Sequence, residues 1–545
     1  MKLRMKLVSS LTKVMPWEKV PAEREFTAAT ALRGEVFSFQ AAYYSENHCP
    51  DMALRLESPL LEHLTARQVG LVPAQLLNWE FDDNIITGTP GLFPDPLLPL
   101  PEKITAFPLQ WRSVWITIRI PADYPAGIYP VTVAISHPEK GIDEQKTFFL
   151  EVLPIKLPEQ ELQRTEWFYA DCVSVLHKTP VWSETHWSLL GKYFANMAEH
   201  GITQVLTPLF TPPLDTAVGA ERPTVQLVDV TQENGKFHFG FERLERWVAL
   251  ALESGLRQFE FSHLYTQWGA KHAPKIMVRR DGADEMMFGW HTDAMSREYQ
   301  DFLALFLAEL VKAIDRMGIR DSCCFHISDE PGLEMLEDYR RAGEVIRQQL
   351  KGFKIIDAMS HLEFYRDGLC QNPIPSIRAL EEFVREGVPD LWTYYCCGPT
   401  TVTTNRFLHY PGARTRILGF QLYKYNLKGF LHWGYNFWFS RLSKAVIDPY
   451  TCPDAGALFP AGDPFLVYPG DQGPVDSLRH ELMREAMQDQ RAMRLLESLV
   501  GRQQALAFME SVSGGELTVA SYPQSPEALL GLRQAVNRRI AQAVV

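Results

Sequence analysis

The chain has 545 residues, 46% of them hydrophobic and 22% charged, and a net charge of -12. That length exceeds one ordinary domain and predicts two or three, and the composition is that of a folded globular protein. An acidic balance with no clustered Lys/Arg run excludes phosphate-backbone binding, and no apolar run is long enough to span a bilayer, so neither nucleic acid nor membrane is an expected partner.

Met1 to Val8 carries positive charges, but no apolar h-region or cleavage site follows, so the expected location is the cytoplasm. The 8 cysteines show no CxxC spacing. The neighbours Cys323-Cys324 and Cys396-Cys397 alternate faces if they lie on strands, so they read as buried thiols rather than ligands. No metal and no cofactor is expected.

Up to about residue 155 the chain reads as short strands broken by turns. Ser113 to Ile120 alternates cleanly, Pro121 to Gly127 turns, and Tyr129 to Ile135 alternates again, which predicts a β-sandwich over residues 1–157. Gly91 to Pro99 is proline-rich and too stiff for a flexible linker, and reads as a loop that makes a surface excursion or, alternatively, reaches toward the next domain.

After Leu153 to Pro158 apolar strand-length segments alternate with helical ones, the pattern of βα units. Eight strands are expected, near Glu166–Tyr169, Gln204–Leu209, Gln258–Leu264, Cys323–Asp329, Lys354–Met359, Pro373–Ile377, Leu391–Cys397 and Gly429–Tyr435. The fold class is therefore α/β, with a (β/α)8 TIM barrel over residues 158–500 following the sandwich. The sixth of these segments is short and carries prolines, which a strand ladder disfavours.

Ser183-Glu184-Thr185-His186 opens a helix with core residues Leu189, Leu190, Tyr193, Phe194 and Met197. Tyr299 to Arg316 repeats the pattern through Phe302, Leu303, Leu305, Phe306 and Leu310, and Ser477 to Leu499 reads as an amphipathic closing helix. Residues 501–545 form a helical extension packed on the barrel, its last helix announced by Ser525-Pro526-Glu527.

The fourth strand carries Phe325-His326-Ile327-Ser328-Asp329-Glu330-Pro331. Two adjacent carboxylates thus stand at a strand's carboxyl end, where α/β barrels place their chemistry. Ser328 or Asp329 capping the next helix explains the same residues without a function. Consecutive strand residues point oppositely, so both acids reach one ligand only if the strand end twists or bulges.

The loops Thr211 to Thr216 and Ser262 to Gly269, the latter including His263 and Trp268, follow the second and third strands, where a site would lie. Their aromatic and hydrogen-bonding groups suit a sugar, whose ring stacks and whose hydroxyls need partners. On the last strand His432, Gly434, Asn436 and Trp438 share one face and Trp433, Tyr435 and Phe437 the other.

Phe325 to Pro331, Phe261 to Pro274, Gly429 to Trp438, and Gly462 to Pro469 with Ser477-Leu478-Arg479 resemble the bacterial family called domain of unknown function 4091, which is similar to glycoside hydrolase family 123. The resemblance implies β-N-acetylgalactosaminidase-type chemistry without a metal, in which the substrate's own 2-acetamido oxygen attacks the anomeric carbon and water opens the resulting oxazoline with retention. It implies Glu330 as general acid then base and Asp329 as the group that holds the acetamido N–H. On that assignment Glu330 carries the raised pKa and Asp329 stays charged.

Tyr394 or Tyr395 is placed to donate to the acetamido carbonyl and Trp433 or Trp438 to floor the ring. Tyr435 and Asn436 complete the candidate substrate-binding set, and His263 and His326 are placed to bond hydroxyls or the acids. A carbohydrate substrate is the expected partner, and the sequence sets no oligomeric state. Two other readings stay open, a glycosidase for sugars lacking the acetamido group with a separate carboxylate nucleophile, and a non-catalytic carbohydrate-binding barrel.

Overall fold

The structure, a computed structural model, describes every residue except Met1, Lys19, Val20, Ala22, Trp268 and Val545. Two five-stranded sheets form the N-terminal β-rich region. The first orders Leu3–Ser9, Val36–Ser45, Gln110–Arg119, Leu64–Ala74 and Gly91–Pro99; the second orders Ala28–Arg33, Ile142–Lys156, Gly127–His137, Cys49–Glu57 and Ile104–Ala106. Alternate residues of both, such as Phe39, Tyr43, Ile116 and Ile118 against Val131, Val133, Phe148 and Leu150, share one apolar core, as half-buried strands dictate.

The proline-rich Gly91–Pro99 is an edge strand of the first sheet, not a surface loop, and Phe93 to Leu97 is buried. An edge tolerates prolines because its outward positions need no ladder N–H. Asp95 accepts two bonds from Arg479, at 3.0 and 2.7 Å, and one from Tyr468. The strand thereby ties the N-terminal sheets to the region carrying the site.

Eight parallel strands follow: β1 (Gln163–Glu166), β2 (Gln204–Thr207), β3 (Gln258–Phe261), β4 (Cys323–Phe325), β5 (Lys354–Ala358), β6 (Asn372–Ile374), β7 (Trp392–Tyr394) and β8 (Gly429–His432). They are ordered β6-β5-β4-β3-β2-β1-β8-β7. The ring is nearly closed, since β6 and β7 meet only beyond the end of β6, through the parallel bridge Ser376 to Tyr394. Pro373 and Pro375 lack the N–H groups a longer ladder needs.

The outer helical layer is less complete than a full (β/α)8 barrel requires. Glu184–Glu199, Glu242–Glu253, Arg297–Met317 and Leu336–Gln349 are full helices, but Glu363–Arg366 is a single turn and Gly412–Arg416 has five residues. Ser183 caps the first by accepting from His186 N, as expected. In Arg297–Met317 the expected core residue Leu305 is instead 55% exposed. A four-stranded sheet of two hairpins, Asp229–Glu233 with Lys236–Gly240 and Ile276–Arg280 with Ala283–Phe288, is inserted after β2 and β3 and was not foreseen.

The helix Leu478–Val500 is not amphipathic in its packing: every residue from Leu478 to Gln490 is buried. Its charged residues are paired instead, Glu485 and Asp489 with Arg416 at 2.6 and 2.7 Å, which is what lets charge enter a core. Gly419 lets the neighbouring helix Leu418–Lys424 approach it, since a Cβ there would stand 1.9 Å from Ala486 O. The last helix, Pro526–Val544, packs on this long helix and also on the second N-terminal sheet, where Arg533 meets Glu35 at 2.6 Å.

Candidate active site

β4 ends at Phe325, four residues short of Asp329. The chain then runs as irregular backbone, with Ile327 N donating to Asp357 Oδ1 at 3.1 Å and Glu330 N to Ala358 O at 3.1 Å. Glu330 has φ of 43°, in the left-handed region that costs a non-glycine residue of order 1–3 kcal/mol. That conformation breaks the alternation a strand would impose and aims both carboxylates into one cavity. Capping is excluded: Ser328 Oγ donates to Thr266 O at 3.2 Å, and the following turn Leu333–Met335 and helix Leu336–Gln349 have no side-chain cap.

The cavity measures about 320 Å³ and opens at the carboxyl ends of the barrel strands. Asp329, Glu330, Tyr394 and Trp433 line it together. Tyr394 donates to Glu330 Oε1 at 2.5 Å, and the Trp433 indole N–H donates to Asp463 Oδ2 at 3.0 Å, which fixes the ring's tilt. Gly434 lets the following backbone pass the Asp463-Pro464 segment, where a Cβ would lie 2.3 Å from Pro464 O.

Burial, reinforced by the charge of Glu330, pushes the Asp329 carboxyl well above the usual range. Asp329, the acid expected to stay charged, is thus the one whose pKa burial raises; it lies deeper, half-buried where Glu330 is exposed to the opening. That shift favours the protonated form of Asp329, and Glu330 accepts from Tyr394.

Other lining residues were missed in the sequence. Trp167 and Tyr169 follow β1, Asp215 and Gln267 come from the loops after β2 and β3, and Arg441 and Phe459 from the long segment after β8. Asp215 is also left-handed, with φ of 41°, and burial pushes its carboxyl up to about 6. The loop readings located Asp215 and Gln267 by segment, but nothing in their type marked them. Trp268 lies outside the described residues.

Six expected residues do not line the cavity. His326 is fully buried beneath it, donating from Nε2 to Glu260 at 2.6 Å and from Nδ1 to Asp357 at 3.1 Å. Burial alone would lower its pKa, but these two carboxylates overcome that and raise it to about 10. His263 stacks on His326 with centroids 4.1 Å apart, its ring nitrogens have no hydrogen-bond partner among the described residues, and burial with the His326 charge keeps it neutral.

Tyr395 points away from Tyr394, as strand alternation demands, and its hydroxyl reaches Met483 Sδ at 3.3 Å. Tyr435 donates to Asn196 at 2.7 Å, Trp438 to Val467 O at 3.2 Å, and Asn436 bonds both backbone groups of Tyr169. These three hold the wall without touching the cavity. The cysteine reading is also corrected: Cys396 and Cys397 both line the cavity, because β7 has ended at Tyr394.

The layer under the cavity is an ordered polar array. Trp167 donates to Glu260 at 2.7 Å, Glu260 meets His326, and His326 meets Asp357. On the other side Arg406 joins Glu166 at 2.6 Å and His432 Nδ1 at 2.7 Å. Burial pushes Asp463, beside His432 and Trp433, up to about 7.

Among the described residues, His200, Asp476 and His480, and also His263, His326 and Asp357, bring possible metal-ligand atoms together. Both His326 nitrogens are already taken by carboxylates. A larger cavity of about 660 Å³, lined by Gln163, Lys354 and Lys428, sits at the amino ends of the strands, away from the paired acids. No helix among the described residues is long and apolar enough to cross a membrane.

Residues 167–496 match the family model described as glycoside hydrolase 123, catalytic domain, which spans more than half of the chain. The solved structure of a family 123 glycoside hydrolase from Clostridium perfringens, described in connection with glycolipid glycan hydrolysis, superposes with a TM-score of 0.76 at 15% identity, covering 100% of this chain and 98% of that one. An endo-beta-1,4-mannanase from Thermotoga petrophila aligns with a TM-score of 0.34 at 13% identity, over 61% of this chain and 77% of that one, too low to carry an argument. No curated protein matches significantly. The chain belongs to glycoside hydrolase family 123 and is a glycoside hydrolase.

Proposed function

We propose that the enzyme is a retaining, exo-acting β-N-acetylhexosaminidase, of the N-acetylgalactosamine type, that uses the substrate's acetamido group as nucleophile. The observation that supports it is the left-handed Glu330, which aims two adjacent carboxyls into one cavity beside Tyr394 and Trp433. Glu330, on the open side, protonates the departing glycosidic oxygen while the acetamido oxygen attacks the anomeric carbon. Asp329, on the inner side, accepts the amide N–H and balances the developing oxazolinium charge. Glu330 then takes a proton from water as it opens the oxazoline, which regenerates the sugar with retained configuration.

Burial favours the protonated form of Asp329 in the ligand-free site, so substrate binding has to reverse that preference. The arriving amide N–H, a donor, and the cationic ring both favour an ionised Asp329, and its proton passes to Glu330. Tyr394 then turns from Glu330 to the acetamido carbonyl, and Trp433 supports the ring face. The glycan end of a glycolipid is a fitting substrate class, as for the Clostridium perfringens relative.

A second reading rests on Asp215, a third carboxyl in the same cavity, which would serve as the enzyme's own nucleophile on sugars without an acetamido group. A panel of chromogenic β-glycosides separates the two. The proposal expects hydrolysis of the N-acetyl-β-galactosaminide, lost in Glu330→Gln; hydrolysis confined to β-galactosides and abolished in Asp215→Asn would support the second reading instead.

A further inference from the structure

Cys396 and Cys397 stand side by side in the wall of the active-site cavity, with their sulfurs 3.9 Å apart. Cys49, Cys172, Cys323, Cys324 and Cys370 are buried, and the remaining partly exposed thiol, Cys452, bonds Asp454 in a different segment. The pair is thus set apart by access as well as by proximity. Its backbone is pinned: Cys396 N donates to Gly398 O at 3.0 Å, and Asn405 donates to Cys396 O at 2.9 Å.

We propose that Cys396 and Cys397 are a vicinal dithiol that a low-molecular-weight disulfide oxidises to a Cys396–Cys397 disulfide, reversibly switching the sugar site off. Cys397 attacks the oxidant, because the bond to Cys397 and burial hold the Cys396 thiol protonated. One oxidant sulfur leaves as a thiol and the other stays on Cys397. Cys396 then attacks the Cys397 sulfur and expels the second oxidant thiol. Two cysteine thiols lose two electrons and two protons, and one disulfide becomes two thiols.

Closing the bond brings the sulfurs from 3.9 Å to about 2.05 Å. Because the backbone is pinned, the side chains supply that movement, in the wall two residues from Tyr394 and its bond to Glu330. Consecutive Cα atoms lie about 3.8 Å apart, shorter than the range of roughly 4.4–6.8 Å usual for disulfides, so the product is strained and readily reduced. Ease of reduction is what a switch needs.

The test incubates the full chain with glutathione disulfide, blocks remaining thiols by alkylation and maps the products by mass spectrometry. The expected result is a peptide holding residues 396 and 397 that has lost two hydrogens, takes no alkyl group and takes two after dithiothreitol. A persistent glutathione adduct on one of the two, or free alkylation of both, overturns the proposal. This arm needs no substrate, so it stands or falls apart from the hydrolytic reading.

The second arm rests on that reading and compares oxidised with reduced enzyme on the chromogenic N-acetylgalactosaminide. Oxidation is expected to lower kcat/KM by about tenfold to a hundredfold, the scale of a 1 Å misplacement, with recovery in dithiothreitol. In Cys397→Ser, normalised to its own reduced rate, the ratio should approach one; Cys396→Ser should instead retain a glutathione adduct on Cys397, and Cys452→Ser keeps the wild-type response. Equal loss in the Cys397→Ser variant, no adduct on Cys397 in Cys396→Ser, or loss abolished by Cys452→Ser, contradicts the assignment.

Discussion

At and just beneath one cavity the fold gathers two sets of acids treated in opposite ways. Glu260 and Asp357, on either side of His326, are fully buried and hold bonds from Thr165, Trp167, Gln204, Tyr339 and the histidine. Asp329 and Glu330, just beyond, face a cavity; Glu330 accepts from Tyr394 alone among the described side chains, on strained backbone. The first set is saturated, so its charges are spent on holding β3, β4 and β5 in register. The second keeps its lone pairs free for a ligand. On the proposed mechanism the acids with few partners do the chemistry and the saturated ones position it.

Substitutions on the two sides should therefore fail differently. Glu330→Gln should lower kcat by about 10²–10⁴-fold with the thermal midpoint unchanged, measured by steady-state kinetics beside a melting curve. His326→Leu leaves two buried carboxylates without their cation and should cost about 3–5 kcal/mol of stability, read by denaturant titration; an equal stability loss in Glu330→Gln would erase the contrast between the two sets. Asp329→Asn should lower kcat on the N-acetylgalactosaminide by about 10²-fold while binding of the free product changes little.

The histidine also predicts a pH window. Its folded pKa of about 10 lies above the ordinary 6.5, so its contribution to stability is complete below pH 6.5 and disappears as pH rises through 10. Unfolding free energies measured across that range should fall for the wild type and show a flatter slope in His326→Leu. Smallest of the expected effects, Tyr394→Phe should reduce kcat by about tenfold, the scale of one hydrogen bond to a charged group, and should shift the acid limb of the pH–rate profile.

Much of this was legible in the residues. All eight barrel strands lie within or beside the expected segments, because short apolar runs between helices have few other uses. Asp329, Glu330, Tyr394 and Trp433 could be placed because each stands at a strand's carboxyl end. The misses share a cause: alternation was carried past the ends of strands. β7 stops at Tyr394, so Cys396 and Cys397 share a wall; the backbone after β8 turns Tyr435, Asn436 and Trp438 into supports. Nor did sequence mark Glu260 or Asp463, since burial, not type, sets the role of a carboxylate. The long helix Leu478–Val500 read as amphipathic because its charges are paired by residues far away in sequence, such as Arg416.

The account depends most on acetamido participation with Asp329 as its anchor. Calorimetric titration of a galacto-configured thiazoline, an analogue of the oxazoline, against wild type and Asp329→Asn tests this directly. Tight binding to the wild type and binding weaker by about a hundredfold in Asp329→Asn is the expected result. No binding to the wild type, or equal affinity for both proteins, would contradict it.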